Sequence, residues 1–147
     1  MALQQKMAQA EPQTPHGCEV NMAISISGIV ASPGGFHCIQ TDATSTVDTL
    51  KAGAGSIFKV EIDNTNNSVP VYVKLWDTIG GFTVGGTHVN DDPDFSFKCP
   101  ASVLRVYSCP SGALFAAGIK AACVTDGGGT PGSTSPSNDV TYRILLS

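Results

Sequence analysis

Residues 56–77 alternate apolar and polar side chains with a period of two, and this pattern constrains the fold more than any other feature. Successive side chains of a β-strand point to opposite faces, so SIFKVEID and VPVYVKLWD each predict a strand with one apolar face. The intervening NTNNS is rich in residues that form Asx turns and accept positive φ. We therefore expect a β-hairpin with one face in the core. That face comprises Phe58, Val60, Ile62, Val71, Val73 and Leu75.

Short segments with strand patterns, separated by turns rich in glycine, proline and serine, continue through residues 23–147. They are AISISGIV, FHCIQ, STVDTL, DFSFKC, VLRVY, ALFAAGIKAACV and DVTYRILL. ALFAAGIKAACV follows a predicted turn at CPSG and lacks polar alternation, which favours a strand buried on both faces. The last strand places Val140, Tyr142, Ile144 and Leu146 on one face. Eight or nine short strands predict an all-β fold, an antiparallel, jelly-roll-like β-sandwich.

The first 22 residues differ from the rest of the chain, because they are polar, contain no aromatic residue and cannot build a core of their own. The segment from Leu3 to Ala10 has the composition of a short helix. We predict an extended N-terminal arm over residues 1–22, followed by one β-sandwich domain over residues 23–147. Either the arm is a mobile terminus, or it becomes ordered on a neighbouring subunit through residues such as Leu3 and Met7.

The composition excludes several classes of partner. Charged residues make up 14% of the chain, well below the average for a soluble domain, so its surface is largely threonine, serine, asparagine and glycine. Such a surface suits a protein packed against other subunits, although many all-β domains share it. The net charge is −4 and the cationic residues are scattered, which argues against nucleic-acid binding. No segment has the length of apolar sequence that a membrane helix requires, and no secretory signal is expected.

No catalytic motif is recognisable. The three histidines are His16, His37 and His88, and neither a nucleophile elbow nor a helical zinc motif surrounds them. The NDDPD stretch, residues 90–94, has oxygen ligands of the kind calcium prefers, but a solvated acidic turn is the favoured interpretation. We therefore expect no enzyme activity, no catalytic residues and no cofactor.

Five cysteines occur, at positions 18, 38, 99, 109 and 123. Their number is odd and no two are spaced as a zinc-ligand pair, so we expect free thiols that act as small apolar side chains. The alternative is one disulfide between Cys99 and Cys109, which flank PASVLRVYS and would face each other across a short two-stranded segment.

Tyr72 and Trp76 lie on the predicted outer face of the hairpin, where a solvated surface does not require aromatic side chains. Two explanations remain open. Either the glycine-rich loop over residues 77–94 folds over them, or another subunit covers them, in which case a ring or trimer would bury this face. Tyr72 and Trp76 are therefore candidate interface residues.

Two regions, IDNTNNSVPVYVKLWDT and ALFAAGIKAACVTDGGGTPGSTSPSNDVTYRIL, resemble small virion proteins of tailed bacteriophages, especially those that infect cyanobacteria. The similarity covers residues 56–146 and carries no catalytic residues. It implies a structural virion protein, above all a decoration or cement protein that binds and stabilises the assembled head. The implied partners are the major capsid protein or other virion subunits, and further copies of the chain in a homo-oligomer, with a trimer favoured.

Two alternatives to a head protein follow from the same regions. The first is a tail, neck or fibre component of the virion. The second belongs to a different class, a carbohydrate-binding β-sandwich that stacks sugars on Trp76 and Tyr72.

Overall fold

The computed structural model describes residues 36–84, 92–129 and 132–147, and these residues contain eight β-strands and no helix. The strands are β1 (Phe36–Gln40), β2 (Asp48–Lys51), β3 (Gly55–Asp63), β4 (Val71–Asp77), β5 (Phe95–Cys99), β6 (Leu104–Phe115), β7 (Ile119–Val124) and β8 (Thr141–Leu146). All pairings are antiparallel. The all-β sandwich predicted from the sequence is confirmed. The predicted arm and the predicted strand AISISGIV lie outside the described residues.

The strands form two four-stranded sheets, sheet A in the order β1-β8-β3-β6 and sheet B in the order β2-β7-β4-β5. Strand β1 pairs with β8, β2 with β7, β3 with β6 and β4 with β5, as if one long antiparallel hairpin were wrapped into a sandwich. This arrangement is the topology of a jelly roll.

The core lies between the sheets and contains the inward side chains of both. Every second residue of β8 is fully buried, as the sequence pattern predicts, and the same is true of Val71, Val73 and Leu75 in β4. Strand β7 is buried at all six positions, so the predicted burial on both faces is confirmed for IKAACV. The prediction of one strand over ALFAAGIKAACV is wrong, because ALF ends β6 in sheet A and residues 116–118 turn the chain into β7 of sheet B.

The predicted hairpin of β3 and β4 is wrong, because β3 belongs to sheet A and β4 to sheet B. The NTNNS segment crosses from one sheet to the other. Asn64 holds this crossing: its buried side-chain amide donates to the carbonyl oxygens of Val69, at 2.9 Å, and Pro100, at 3.0 Å. These bonds tie the β3–β4 connection to the β5–β6 connection at the same end of the sandwich.

The inward face of β3 also differs from the prediction at Phe58. Ile57, Val60 and Ile62 are fully buried, whereas Phe58 is half-buried, because the pairing register with β6 shifts between Ile57 and Lys59. The extra residues of β6 at this irregularity are CPSG, which continue the strand rather than form the predicted turn. Gly112 has a φ of 76° there, which favours glycine.

The thiols of Cys38, Cys99, Cys109 and Cys123 are free, and Cys18 lies outside the described residues. Cys99 ends β5 in sheet B and Cys109 lies on β6 in sheet A, so the two do not face each other across a two-stranded segment. The alternative disulfide between them is therefore not formed. Burial raises the pKa of Cys123 to about 12, as expected for a thiol that packs as an apolar side chain.

Candidate interaction surface

Trp76 lies on the outer face of sheet B and is covered by its own chain. The indole is 3% exposed and meets the ring of Phe82 edge-on, with the ring centroids 5.0 Å apart. Val84, Ala122 and Val124 complete this second apolar cluster. Of the two arrangements considered for Trp76, the structure shows the one in which the adjoining loop covers it. Trp76 is thus removed from the surface, and the reason for expecting a trimer is removed with it.

Tyr72 is half-buried on the same face. Gly127, from the loop after β7, lies so close that a Cβ there would come within 2.9 Å of the tyrosine hydroxyl. Asp126 shapes this loop, because its carboxylate accepts the backbone N–H groups of Ser133 and Thr134 at 3.0 and 2.8 Å. Tyr72 therefore packs against the loop that follows β7. Leu3 and Met7, the other candidate interface residues, lie outside the described residues.

Two lysines are buried beneath the loops over sheet B. Lys74 is fully buried with its ammonium 6.0 Å from the centre of the Tyr72 ring, and Lys120 donates to the carbonyl oxygen of Gly80 at 2.6 Å. Burial lowers the pKa of Lys74, and the nearby carboxylate of Asp126 opposes that shift. The outer face of sheet B over β4 and β7 is therefore a packed interior of apolar side chains and satisfied polar groups, whereas Thr49, Ser96 and Lys98 on the edge strands are exposed.

The outer face of sheet A is open by comparison. Register pairs align Ile39, Arg143, Glu61 and Val106 in one row across its four strands. Glu61 accepts hydrogen bonds from Lys59 at 3.0 Å and from Arg143 at 2.8 Å. The bond from Lys59 is the main reason why the pKa of Glu61 is lowered. We call this surface face A; it comprises Ile39, Lys59, Glu61, Leu104, Val106 and Arg143.

Several large apolar side chains on and around β6 are exposed. Leu104 is 47% exposed, Val106 46% and Leu114 74%, and Ile39 on the opposite edge of face A is 55% exposed. Sequence reasoning missed these residues as interface candidates. The available signal was VLRVYS, in which Leu104, Val106 and Ser108 alternate with Arg105 and Tyr107, but nothing in that pattern says which face is covered.

Asp77, at the end of β4, accepts three backbone hydrogen bonds. It accepts the backbone N–H groups of Ala116 and Ala117, each at 2.7 Å, and of Gly118 at 3.2 Å. These bonds lower the pKa of Asp77. They hold the β6–β7 turn, so the role of Asp77 is structural. Asp94, from the NDDPD stretch, accepts the backbone N–H of Asp77 at 2.6 Å, and Asn90 and Asp91 lie outside the described residues.

A cleft of about 200 Å³ opens between β1 and β2, at the side of the sandwich away from β6. Asp48 lies in its wall and accepts hydrogen bonds from Gln40 and from the buried Tyr142 hydroxyl, both at 3.0 Å. Cys38 also lines the cleft, but burial raises the pKa of its thiol, which is the opposite of what a nucleophile requires. The cleft offers no pair of nucleophile and base.

Within residues 36–84, 92–129 and 132–147, no three histidine, cysteine, aspartate or glutamate side chains are grouped as metal ligands. The same residues include no helix long and apolar enough to cross a membrane. No family model, curated protein or solved structure matches the chain. The described residues thus define a jelly-roll sandwich of eight strands, in which loops cover the centre of one outer face and leave the other open.

Proposed function

We propose that this chain is a structural virion protein of a tailed bacteriophage, and specifically a decoration or cement protein that binds and stabilises the assembled head. The observation that carries the proposal is the contrast between the two sheets. The central strands of sheet B, β4 and β7, are covered by their own loops, whereas face A and strand β6 expose Leu104, Val106 and Ile39. Leu104 and Val106 are neighbours on one face of β6, and adjacent exposed apolar side chains on a well-packed domain mark an interaction surface.

Three further observations support this function. The jelly roll is a fold that viral capsid proteins use, although lectins and cupins use it as well. The sequence resembles small virion proteins over residues 56–146. The chain contains few charged residues, which suits a protein that covers other subunits, the major capsid protein or its neighbours in the particle.

The alternative of a carbohydrate-binding module loses its main support. Such a module needs an exposed aromatic platform, and Phe82 and Gly127 lie against the two residues that would provide it, Trp76 and Tyr72. A tail, neck or fibre component needs the same kind of open surface as a head protein, so it stays within the proposal as a second location.

Co-sedimentation tests the proposal directly. Purified protein is mixed separately with heads and with tails from virions of the encoding phage, after both have been stripped of accessory proteins. We expect binding to heads. Val106→Glu should weaken that binding by about tenfold or more, because it places a charge in the centre of a desolvated contact. Ile79→Glu is the matched control, since Ile79 is 68% exposed but lies beside the sealed sheet.

Binding to tails alone would indicate that the protein is a tail, neck or fibre component. Absence of binding to either part, or equal loss with Val106→Glu and Ile79→Glu, would contradict the proposed surface. Glycan binding that disappears in Trp76→Ala would instead favour the carbohydrate-binding class.

A further inference from the structure

Strand β6 is the edge of sheet A among the described strands, and its first part is a regular, accessible edge. Leu104, Arg105, Val106 and Ser108 are exposed, and Tyr107 is half-buried. An edge strand presents unpaired backbone N–H and C=O groups, which another strand can join. The segment Leu104–Ser108 therefore has both the backbone groups and the apolar side chains of a strand-pairing site.

Structural features limit this site at both ends. Ser102, just before it, has a φ of 56°, which is not an extended conformation. Beyond it, Pro110 has no N–H to donate, and Gly112 has a φ of 76° within the irregular stretch opposite Phe58. The regular edge is thus a segment of five residues with Val106 at its centre.

We propose that two copies of this chain pair through this edge, antiparallel, with a two-fold axis that passes between the two Val106 residues. In this register Val106 faces its own copy, Leu104 faces Ser108 of the second copy, and Arg105 faces Tyr107 of the second copy. The contact uses all five residues and stops before Pro110 on both strands.

Charge and shape favour this register over its neighbours. In a symmetric antiparallel pair, one residue faces the same residue of the second copy. The two-fold axis passes between these two residues, so the neighbouring registers place it at Arg105 or at Tyr107. An axis at Arg105 would place two guanidinium groups opposite each other, which is unfavourable. An axis at Tyr107 would place Leu104 against Pro110 and force the irregular stretch into the pairing. With the axis at Val106, each Arg105 meets an aromatic ring, a favourable partner for a guanidinium.

Tyr107 is already held in place to receive that arginine. Its hydroxyl donates to the carbonyl oxygen of Lys98 on β5, and its ring lies 5.1 Å from the ring of Phe97. An aromatic side chain fixed before binding loses little conformational entropy in the complex. The same hydrogen bond occupies a carbonyl group of β5, the edge strand of sheet B on this side, and leaves β6 as the more available edge.

The pairing has a consequence for face A. The two-fold axis is perpendicular to sheet A, so both copies turn face A in the same direction and form one eight-stranded surface. That surface doubles the area presented to a particle, a consequence that rests on the proposed function. The pairing itself does not, because it is a contact between two copies in solution.

Disulfide trapping in the isolated full-length protein tests the register. Directly opposed residues of an antiparallel pair have Cα atoms about 4.5–5.5 Å apart, within the range that a disulfide spans. In a Cys109→Ser background, Val106→Cys alone should be trapped as a dimer under mild oxidation. Leu104→Cys and Ser108→Cys should each stay uncrosslinked alone and be trapped when mixed. Thr49→Cys, an exposed position on the β2 edge, gives the background rate.

Analytical ultracentrifugation of the wild-type protein over a concentration series should show a reversible dimer. Arg105→Glu should weaken it, and Arg105→Lys, which keeps the cation, should weaken it less. A wild-type monomer at every concentration would overturn the proposal, and so would trapping of Val106→Cys no faster than Thr49→Cys. Head binding by a protein that stays monomeric would refute this contact and leave the proposed function standing.

Discussion

Replacing Trp76 by alanine tests whether the outer face of sheet B is an interior or a surface. The indole is 3% exposed and packs against Phe82 and Val84, both of which come from the loop after β4. The substitution removes a large apolar side chain from the second apolar cluster, whose residues all belong to the same chain. The cost should therefore appear in the stability of the isolated chain.

The expected magnitude follows from the buried area. Removing the indole exposes or empties about 200 Å² of apolar contact, which at about 25 cal/mol per Å² corresponds to about 5 kcal/mol. Real unfolded chains already bury some of this area, and correcting for that gives about 3–4.5 kcal/mol. The value agrees with the usual loss for truncation of a buried tryptophan, about 3–5 kcal/mol. The melting temperature should fall by about 10 °C.

Urea denaturation of the full-length protein, monitored by circular dichroism, measures this loss as a change in midpoint at constant slope. Ile79→Ala is the control, because Ile79 belongs to the same loop but is 68% exposed; its effect should stay within about 0.5 kcal/mol. A double-mutant cycle with Phe82→Ala should show a coupling of about 0.5–1.5 kcal/mol for the edge-on ring pair. A loss below about 1 kcal/mol for Trp76→Ala, well under the usual cost of such a truncation, would show that the loop does not cover the indole.

Three further outcomes are expected. Asn64→Ala should destabilise the chain by about 2–3 kcal/mol in denaturant melts, because buried carbonyl groups lose their donor, whereas the exposed Asn66→Ala should be nearly neutral. Asp77→Asn should lower stability at neutral pH. Because the pKa of Asp77 is lowered by folding, its contribution is present above the unfolded value and is lost as the pH falls through the folded one, so melts of wild type and variant should converge in acid. Thiol titration of unfolded protein should find five free thiols; in native protein Cys109 should react long before Cys123, and equal rates would contradict their burial.

Much of the fold could be predicted, because the alternation of apolar and polar residues along a strand indicates directly which side chains are buried. The alternation in DVTYRILL identified four buried positions, Val140 before β8 and three within it, and the run ending in IKAACV identified a strand covered on both faces, although its first part, ALF, belongs to β6. Periodicity fails where the backbone is irregular. The shift in register between Ile57 and Lys59 places Ile57 rather than Phe58 in the core, and no local pattern in β3 marks the extra residues of β6, CPSG, that lie opposite Phe58.

The sequence did not predict which strands pair with each other, and the reason is different. An alternating strand looks the same whether its successor joins the same sheet or crosses to the other one. NTNNS accepts both a tight turn and a crossing, and the choice depends on bonds from Asn64 to Val69 and to Pro100, a residue 36 positions away. Such long-range hydrogen bonds have no signature in a local segment.

The candidate interaction surface could not be located from the sequence either, because the residues that cover an outer face come from other segments of the chain. Trp76 and Tyr72 drew attention because aromatic side chains on an outer face need a cover, and the sequence left open what the cover was. In the structure Phe82 and Gly127 of the same chain lie against Trp76 and Tyr72, so the candidate surface for partners lies on the opposite sheet. There Leu104 and Val106 stand beside the ion pairs of Glu61 on a surface with no loop above it among the described residues. Loops cover the central strands of one sheet and leave the other sheet open, and this asymmetry is the physical basis of the proposal that the chain covers another protein surface.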